Sequence, residues 1–203
     1  TRHMIYIDHD GTDPYFNLAL EEYLLKHTDD DVFYLWRNDK TVVIGKNQNA
    51  LSEVDLGYTK RHGIAVVRRL TGGDAVFHDL GNLNFTFAAW DEDYDVGRQL
   101  GVVIHALEAL GVPAHQSGRN DICVGEHKIS GNAFQHRGGK SCHHGTILIG
   151  ADMAALGRYL KPSADKLRSK GVASVRSRVA NLVDFCPGVT VEEIRRLLRE
   201  SFS

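Results

Sequence analysis

The chain has few cysteines, no long apolar run and no excess of charge of one sign. Its three cysteines, Cys123, Cys142 and Cys186, are odd in number and far apart. A disulfide framework or a zinc ribbon needs pairs at short spacing, so neither is expected. Reduced thiols in a cytoplasmic protein are the simpler reading. Nothing approaches the roughly 20 apolar residues of a membrane span, and the first residues do not read as a signal peptide. The formal net charge is −2, with acids and bases interspersed. That gives no broad field for nucleic acid or a membrane surface, so any anion site must be local. Repeats, low-complexity stretches and an obvious linker are missing as well. Thr1-Arg2-His3 before Met4 reads as a tag remnant, which leaves residues 4–203 as one expected domain.

What is present is ordinary globular material: 203 residues, 42% hydrophobic and 25% charged, enough to bury a full core. Asp13-Pro14 opens a helix with an N-cap and a proline at the first position; Phe16, Leu20 and Tyr23 or Leu24 recur along it at helical spacing, with Glu21 and Glu22 between. Val32 to Trp36, Thr41 to Ile44, Ile64 to Arg69, Ala75 to His78 and Asn82 to Ala89 read as strands, with a short helix over Asp55 to His62 closed by Gly63. A helix over Val96 to Leu110 is stopped by Gly111 and Pro113. Asp121 to Val124, Lys128 to Phe134 and His144 to Ile149 follow as short strands, with Gly138-Gly139 as a hairpin turn. From Ala151 the chain turns helical and more basic, and Thr190-Val191-Glu192-Glu193 is a capping box that opens a helix with Ile194, Leu197 and Leu198 on one face. Mixed rather than alternating elements predict an α+β fold, a mixed and largely antiparallel sheet flanked by helices. Of the eleven histidines, His143 and His144 are adjacent; neighbours on a strand face opposite ways, so the two are not expected to share a metal.

Two segments carry candidate chemistry. In the first, Arg68-Arg69 precede Leu70-Thr71-Gly72-Gly73-Asp74 between strands. Glycines let backbone N–H groups close on an anion, and arginine offers a fork for phosphate. No Gly-Lys-Ser/Thr follows, so this is not a Walker loop, and a plain hairpin is the commoner use of such a turn. In the second, Asn120-Asp121 lie shortly before Lys128-Ile129-Ser130-Gly131. A strand lysine beside glycine can lean over a ligand, or simply be solvated.

Together these segments resemble the lipoate–protein ligase family of the biotin/lipoate ligase superfamily. The resemblance runs from Asp13-Pro14-Tyr15-Phe16-Asn17 through Leu35-Trp36-Arg37-Asn38, Val42-Val43-Ile44-Gly45, Gln48-Asn49 and the Arg-Arg-x-x-Gly-Gly segment. It continues through Lys128-Ile129-Ser130-Gly131 and His144-Gly145-Thr146 to Ser174-Val175-Arg176-Ser177-Arg178-Val179 and Asn181-Leu182. It implies that lipoate attacks the α-phosphate of ATP to give lipoyl-AMP, which an acceptor lysine then takes up. It implies further that Arg69, Gly72, Gly73, Asp74, Ala75, Val76, Phe77, Asn120 and Asp121 bind the nucleotide. Trp36, Val43, Arg69 and Gly131 would line the lipoyl pocket, and Lys128 would touch both substrates as the catalytic cation. Implied partners are lipoyl domains of 2-oxoacid dehydrogenase complexes and the glycine-cleavage H protein. Lipoate and octanoate both suit such a pocket.

Two features depart from the family pattern. Asp74 stands where a third glycine is usual; it would ligate Mg²⁺, tune nucleotide affinity, or be tolerated with only its backbone in use. Many family members also carry a small C-terminal domain, so an accessory domain, truncated or replaced by a separate partner protein, is expected. Rival readings are an acyl-carrier-dependent octanoyl or lipoyl transferase, a biotin ligase, and a non-catalytic lipoate- or adenylate-binding module. The transferase cysteine would fall at Ser163, and Cys142 beside His143 is the alternative nucleophile.

Overall fold

The computed structural model describes residues 3–118, 120–161 and 178–203. Its strands are β1 (Met4–Asp8), β2 (Asp31–Trp36), β3 (Thr41–Ile44), β4 (Ala65–Arg68), β5 (Val76–His78), β6 (Asn82–Trp90), β7 (Ala114–Ser117), β8 (Asp121–Val124), β9 (His127–Arg137), β10 (Lys140–Leu148) and β11 (Arg178–Val179). The helices are α1 (Pro14–Lys26), α2 (Ala50–Glu53), α3 (Leu56–Arg61), α4 (Val96–Glu108), α5 (Ala155–Tyr159) and α6 (Val191–Phe202). A large sheet runs β1-β2-β6-β10-β9-β8-β7, with β11 paired to β9, and a separate small sheet runs β4-β3-β5. Only β1–β2, β11–β9 and β3–β4 are parallel among the described pairs, so the expected mixed, mainly antiparallel architecture is observed.

One face of the large sheet packs on α4 and α6 through Phe33, Leu35, Phe85, Leu107, Ile147 and Ile194. The Thr190 cap of α6 is made, its hydroxyl accepting from the Glu193 N–H at 3.2 Å. The opposite face receives α1, with Tyr34, Trp36, Leu24 and Cys142 in a second cluster. The small sheet has its own core of Val42, Ile44, Ala75 and Tyr159.

The helix α1 begins where expected, Asp13 accepting from the Tyr15 N–H at 2.9 Å. Its buried stripe is different. Phe16 and Tyr23 are 51% and 55% exposed, whereas Asn17 and Glu21 are fully buried, one turn apart. Hydrogen bonds satisfy these polar groups, which removes the usual cost of burying them. The β9–β10 hairpin is longer than its apolar residues suggest. Lys140, one residue past the Gly139 turn, is buried in β10, and its ammonium donates to the Leu24, Thr28 and Asp30 carbonyls. Strands β1 and β7 and the short α2 carry little apolar alternation and went unsignalled.

Candidate active site

A cleft of about 600 Å³ opens between the two sheets. Its floor is a row of residues paired across four strands. Trp36 is opposite Asn84, and Asn84 is opposite Thr146. The Gly131 N–H then donates to Thr146 Oγ1 at 3.1 Å. Val43, Val76 and His78 of the small sheet face this row from the other side. Lys128 lies over Gly131: a Cβ there would come within 3.1 Å of the lysine Cε. The ammonium pairs with Asp121 at 3.0 Å while both side chains stay about 30% exposed.

The arginine–glycine segment forms one rim. Arg68 is spent on the loop after β3, donating to the Gly45, Lys46 and Gln48 carbonyls. Arg69 donates to Thr71 Oγ1 at 3.2 Å and to the carbonyls of Val43, Gly72 and Asp74 at 3.3, 2.9 and 2.8 Å. Of a guanidinium's five N–H groups, one is thus left for a ligand. Burial lowers the Arg69 pKa, and the Asp74 and Glu21 charges offset part of that. Gly73 has a φ of +106°, where L side chains are strained. A Cβ on Gly45 would run into the Gly73 carbonyl, so this loop approaches β3 as closely as backbone permits.

Behind the rim runs a buried polar relay. Taking Glu21 as the acceptor of His144 Nδ1–H at 2.9 Å, His144 Nε2 receives the Thr71 hydroxyl at 2.6 Å, and Thr71 receives Arg69. Thr86 donates to Glu21 at 2.5 Å, and Trp36 Nε1 donates to Thr86 at 2.9 Å. Arg69 on the rim and Trp36 on the floor are therefore held by one network. Cys142 lies beside Glu21 and His144, close enough for the three to hold a metal. The donor set does not suit one. Burial, with Glu21 nearby, pushes the Cys142 thiol up, so it stays protonated, and the other two groups already satisfy each other.

Eleven of the residues expected at the site line the cleft: Trp36, Val43, Arg69, Gly72, Gly73, Asp74, Val76, Asn120, Asp121, Lys128 and Gly131. Ala75 and Phe77 do not. Strand alternation turns them into the small-sheet core, where Phe77 stacks on Tyr159 at 5.2 Å between ring centroids, so only their backbone groups are available to a nucleotide. The Cys142–His143 dyad does not form. His143 projects to the α4 face, between the Gln99 side-chain amide and Asn132 Oδ1 at 2.9 Å each, while Cys142 is buried on the other. Burial next to His144 lowers the His143 pKa to about 3. Arg119, Ser163 and the run Ser174-Val175-Arg176-Ser177 lie outside the described residues. Leu18, His78, Asn84, Thr146 and His144 also line the cleft and were not expected there. His78 was findable, because it stands two residues after Val76 on the same strand face.

A family model for the lipoyl protein ligase A/B catalytic domain matches residues 13–203. The chain belongs to this family. A lipoate-protein ligase A of Psychrobacter cryohalolentis is 46% identical over 193 residues, 94% of this chain. The chain spans 57–59% of the length of the curated relatives it matches. Among solved structures, the bipartite lipoate protein ligase of Thermoplasma acidophilum, described with its E2 lipoyl domain, superposes with a TM-score of 0.85 at 35% identity; the match covers all of this chain and 83% of that one. A lipoate-protein ligase A bound with ATP gives a TM-score of 0.80 at 33% identity, covering all of this chain and 84% of that one. Among the described residues no helix is long and apolar enough to cross a membrane.

Proposed function

We propose that this domain activates lipoate with ATP and passes the lipoyl group to a lysine of an acceptor protein. A lipoate carboxylate oxygen attacks the α-phosphorus, the bond to pyrophosphate breaks, and lipoyl-AMP remains. The acceptor's neutral amine then attacks the carbonyl carbon, AMP leaves with the bonding electrons, and an amide forms as the amine loses its proton. The first step asks for positioning and fixed positive charge more than for proton transfer. The observation that carries the reading is Lys128, a cation held by Asp121 over the one floor residue without a side chain. There it meets the carboxylate and the phosphate at once. Arg69, Gly72, Gly73 and Asn120 frame the nucleotide, and Trp36 and Val43 the acyl chain.

Mg²⁺ fits as a companion of ATP. Asp74 and Asp121 are the carboxylates on the cleft wall; Lys128 engages Asp121, while Asp74 stands exposed beside the glycine turn. Magnesium on a nucleotide needs only one or two protein carboxylates, so Asp74 is the candidate ligand, and the bound ion supplies charge neutralisation at the phosphates. Lipoyl domains of 2-oxoacid dehydrogenases and the glycine-cleavage H protein are the proposed acceptors; the archaeal neighbour's E2 lipoyl domain supports the former. The reading takes residues 4–203 as one catalytic domain, leaves room for an accessory domain or protein, and puts the reaction in the cytoplasm, in keeping with three free thiols.

The test is the intact mass of a lipoyl acceptor domain incubated with this chain, free lipoate and Mg-ATP. An ATP-dependent lipoyl increment is expected. An increment only with an acyl-carrier thioester would favour the transferase reading, which the buried Cys142 counts against. Binding of lipoate with no adenylate and no transfer would favour a non-catalytic module.

A further inference from the structure

Carbonyl oxygens accept hydrogen bonds and never donate them, and that orients a series of side-chain amides beside the cleft. Asn17 Nδ2 lies 3.1 and 3.0 Å from the Gly11 and Arg37 carbonyls, so its NH₂ end is identified. The same NH₂ is 3.0 Å from Asn38 Oδ1. Asn38 therefore presents its own NH₂ to His78 Nδ1, at 3.1 Å. From the other side Asn84, its oxygen taken by Asn82, presents its NH₂ to the same ring nitrogen at 3.3 Å. Nδ1 is an acceptor and carries no proton. His78 is 4% exposed; burial, with His144 and Arg69 nearby, pushes its pKa down to about 3. The ring is neutral near pH 7, and its proton is on Nε2. Among the described residues nothing accepts from Nε2, and the ring lines the cleft.

The cross-strand row tells where in the cleft this donor sits. Lys128 covers the Gly131 end. His78 is bonded to Asn84 and lies edge-on to Trp36, with 6.3 Å between centroids, at the other end. Two to three strand spacings separate the ends, about 10–14 Å, a fit for an extended eight-carbon acid. Leu18, Trp36, Val43 and Val76 give the cleft its apolar lining, and Trp36 places part of it beside His78. His144 and Trp36 have already committed their N–H groups to the relay.

Resting on the ligase reading, we infer that His78 selects a sulfur-bearing acyl tail, its Nε2–H donating to a dithiolane sulfur. Divalent sulfur is a weak acceptor. An all-carbon tail leaves the buried N–H with none, and that loss sets a discrimination of about ten-fold.

The experiment measures kcat/KM for adenylate formation with lipoate, octanoate and 5-cyclopentylpentanoate, whose ring has the same size without sulfur. The unmodified chain is expected to prefer lipoate over the cyclopentyl acid by about ten-fold, and His78→Leu to bring the ratio close to one by losing more on lipoate than on the cyclopentyl acid. Should that variant fail to fold, the unmodified protein still decides. The His78 Nε2–H proton resonance should move downfield with lipoate and stay in place with the cyclopentyl acid. Equal use of the two ring acids by the unmodified chain, a preference kept in His78→Leu, or an unmoved resonance would overturn the inference while leaving the ligase reading intact. Adenylation of none of the three acids would sink both.

Discussion

On the α4 and α6 face, the large sheet packs Phe33, Leu35, Phe85 and Ile147 against helix residues such as Leu107, with the Gln99–His143–Asn132 chain and the buried Arg195 as polar insertions. On the α1 face the same strands bury Glu21, His144, Thr86 and Asn84, each with named hydrogen-bond partners. The first face is held by volume and the second by donor–acceptor matching. Apolar packing tolerates small rearrangements, whereas a polar network holds an atom at one place and is costly when half-broken. The face that carries Arg69, Trp36 and His78, the residues proposed to meet the substrate, is the one built by matching.

The largest separation between the faces should come from Phe85→Ala. It removes a fully buried ring from the apolar face and should cost about 3–5 kcal/mol in urea unfolding, with adenylation by the folded fraction little changed. Next comes Glu21→Ala on the other face. It leaves His144 and Thr86 without their acceptor and should cost about 1–3 kcal/mol, but also raise KM for lipoate or ATP, because Arg69 and Trp36 share the relay. Equal effects of the two substitutions on KM would erase the distinction.

A histidine on each face gives a third comparison. His78 and His143 both have folded pKa values near 3, below the ordinary 6.5. The unfolded chain therefore binds more protons between those values, and stability is full above about pH 6.5 and falls as pH drops toward 3, by about 1.4 kcal/mol per pH unit for each histidine. Urea midpoints from pH 7 to 4.5 measure this. His143→Gln should flatten the slope by about half, and an unchanged slope would contradict the neutral assignment. The smallest effect is at the rim. If Asp74 repels phosphate, Asp74→Gly should tighten magnesium-free ATP binding a few-fold; if Asp74 holds Mg²⁺, the same change should weaken Mg-ATP binding.

Most of this was legible from the chain alone where a single residue carries its own signal. Asp13-Pro14 started α1, Thr190 started α6, and Lys128 with Gly131 marked the cation over the floor. What was not legible depends on partners far away in sequence. Glu21 reads as a solvated helix residue until β6 and β10 bring Thr86 and His144 to it, 65 and 123 positions on. Lys140 lies outside the expected His144 to Ile149 strand and carries no signal until the Leu24, Thr28 and Asp30 carbonyls reach it. Ala75 and Phe77 belong to the same run as Val76, and only the register of β5 against β3 decides which side chains face the cleft.

The most direct measurement is the formation of lipoyl-AMP and pyrophosphate by the chain with free lipoate and Mg-ATP, beside Lys128→Ala. The account predicts stoichiometric adenylate from the unmodified protein, and a rate at least about 100-fold lower in the variant with its melting temperature little changed. Undiminished lipoyl-AMP formation by Lys128→Ala would contradict the placing of catalysis over Gly131.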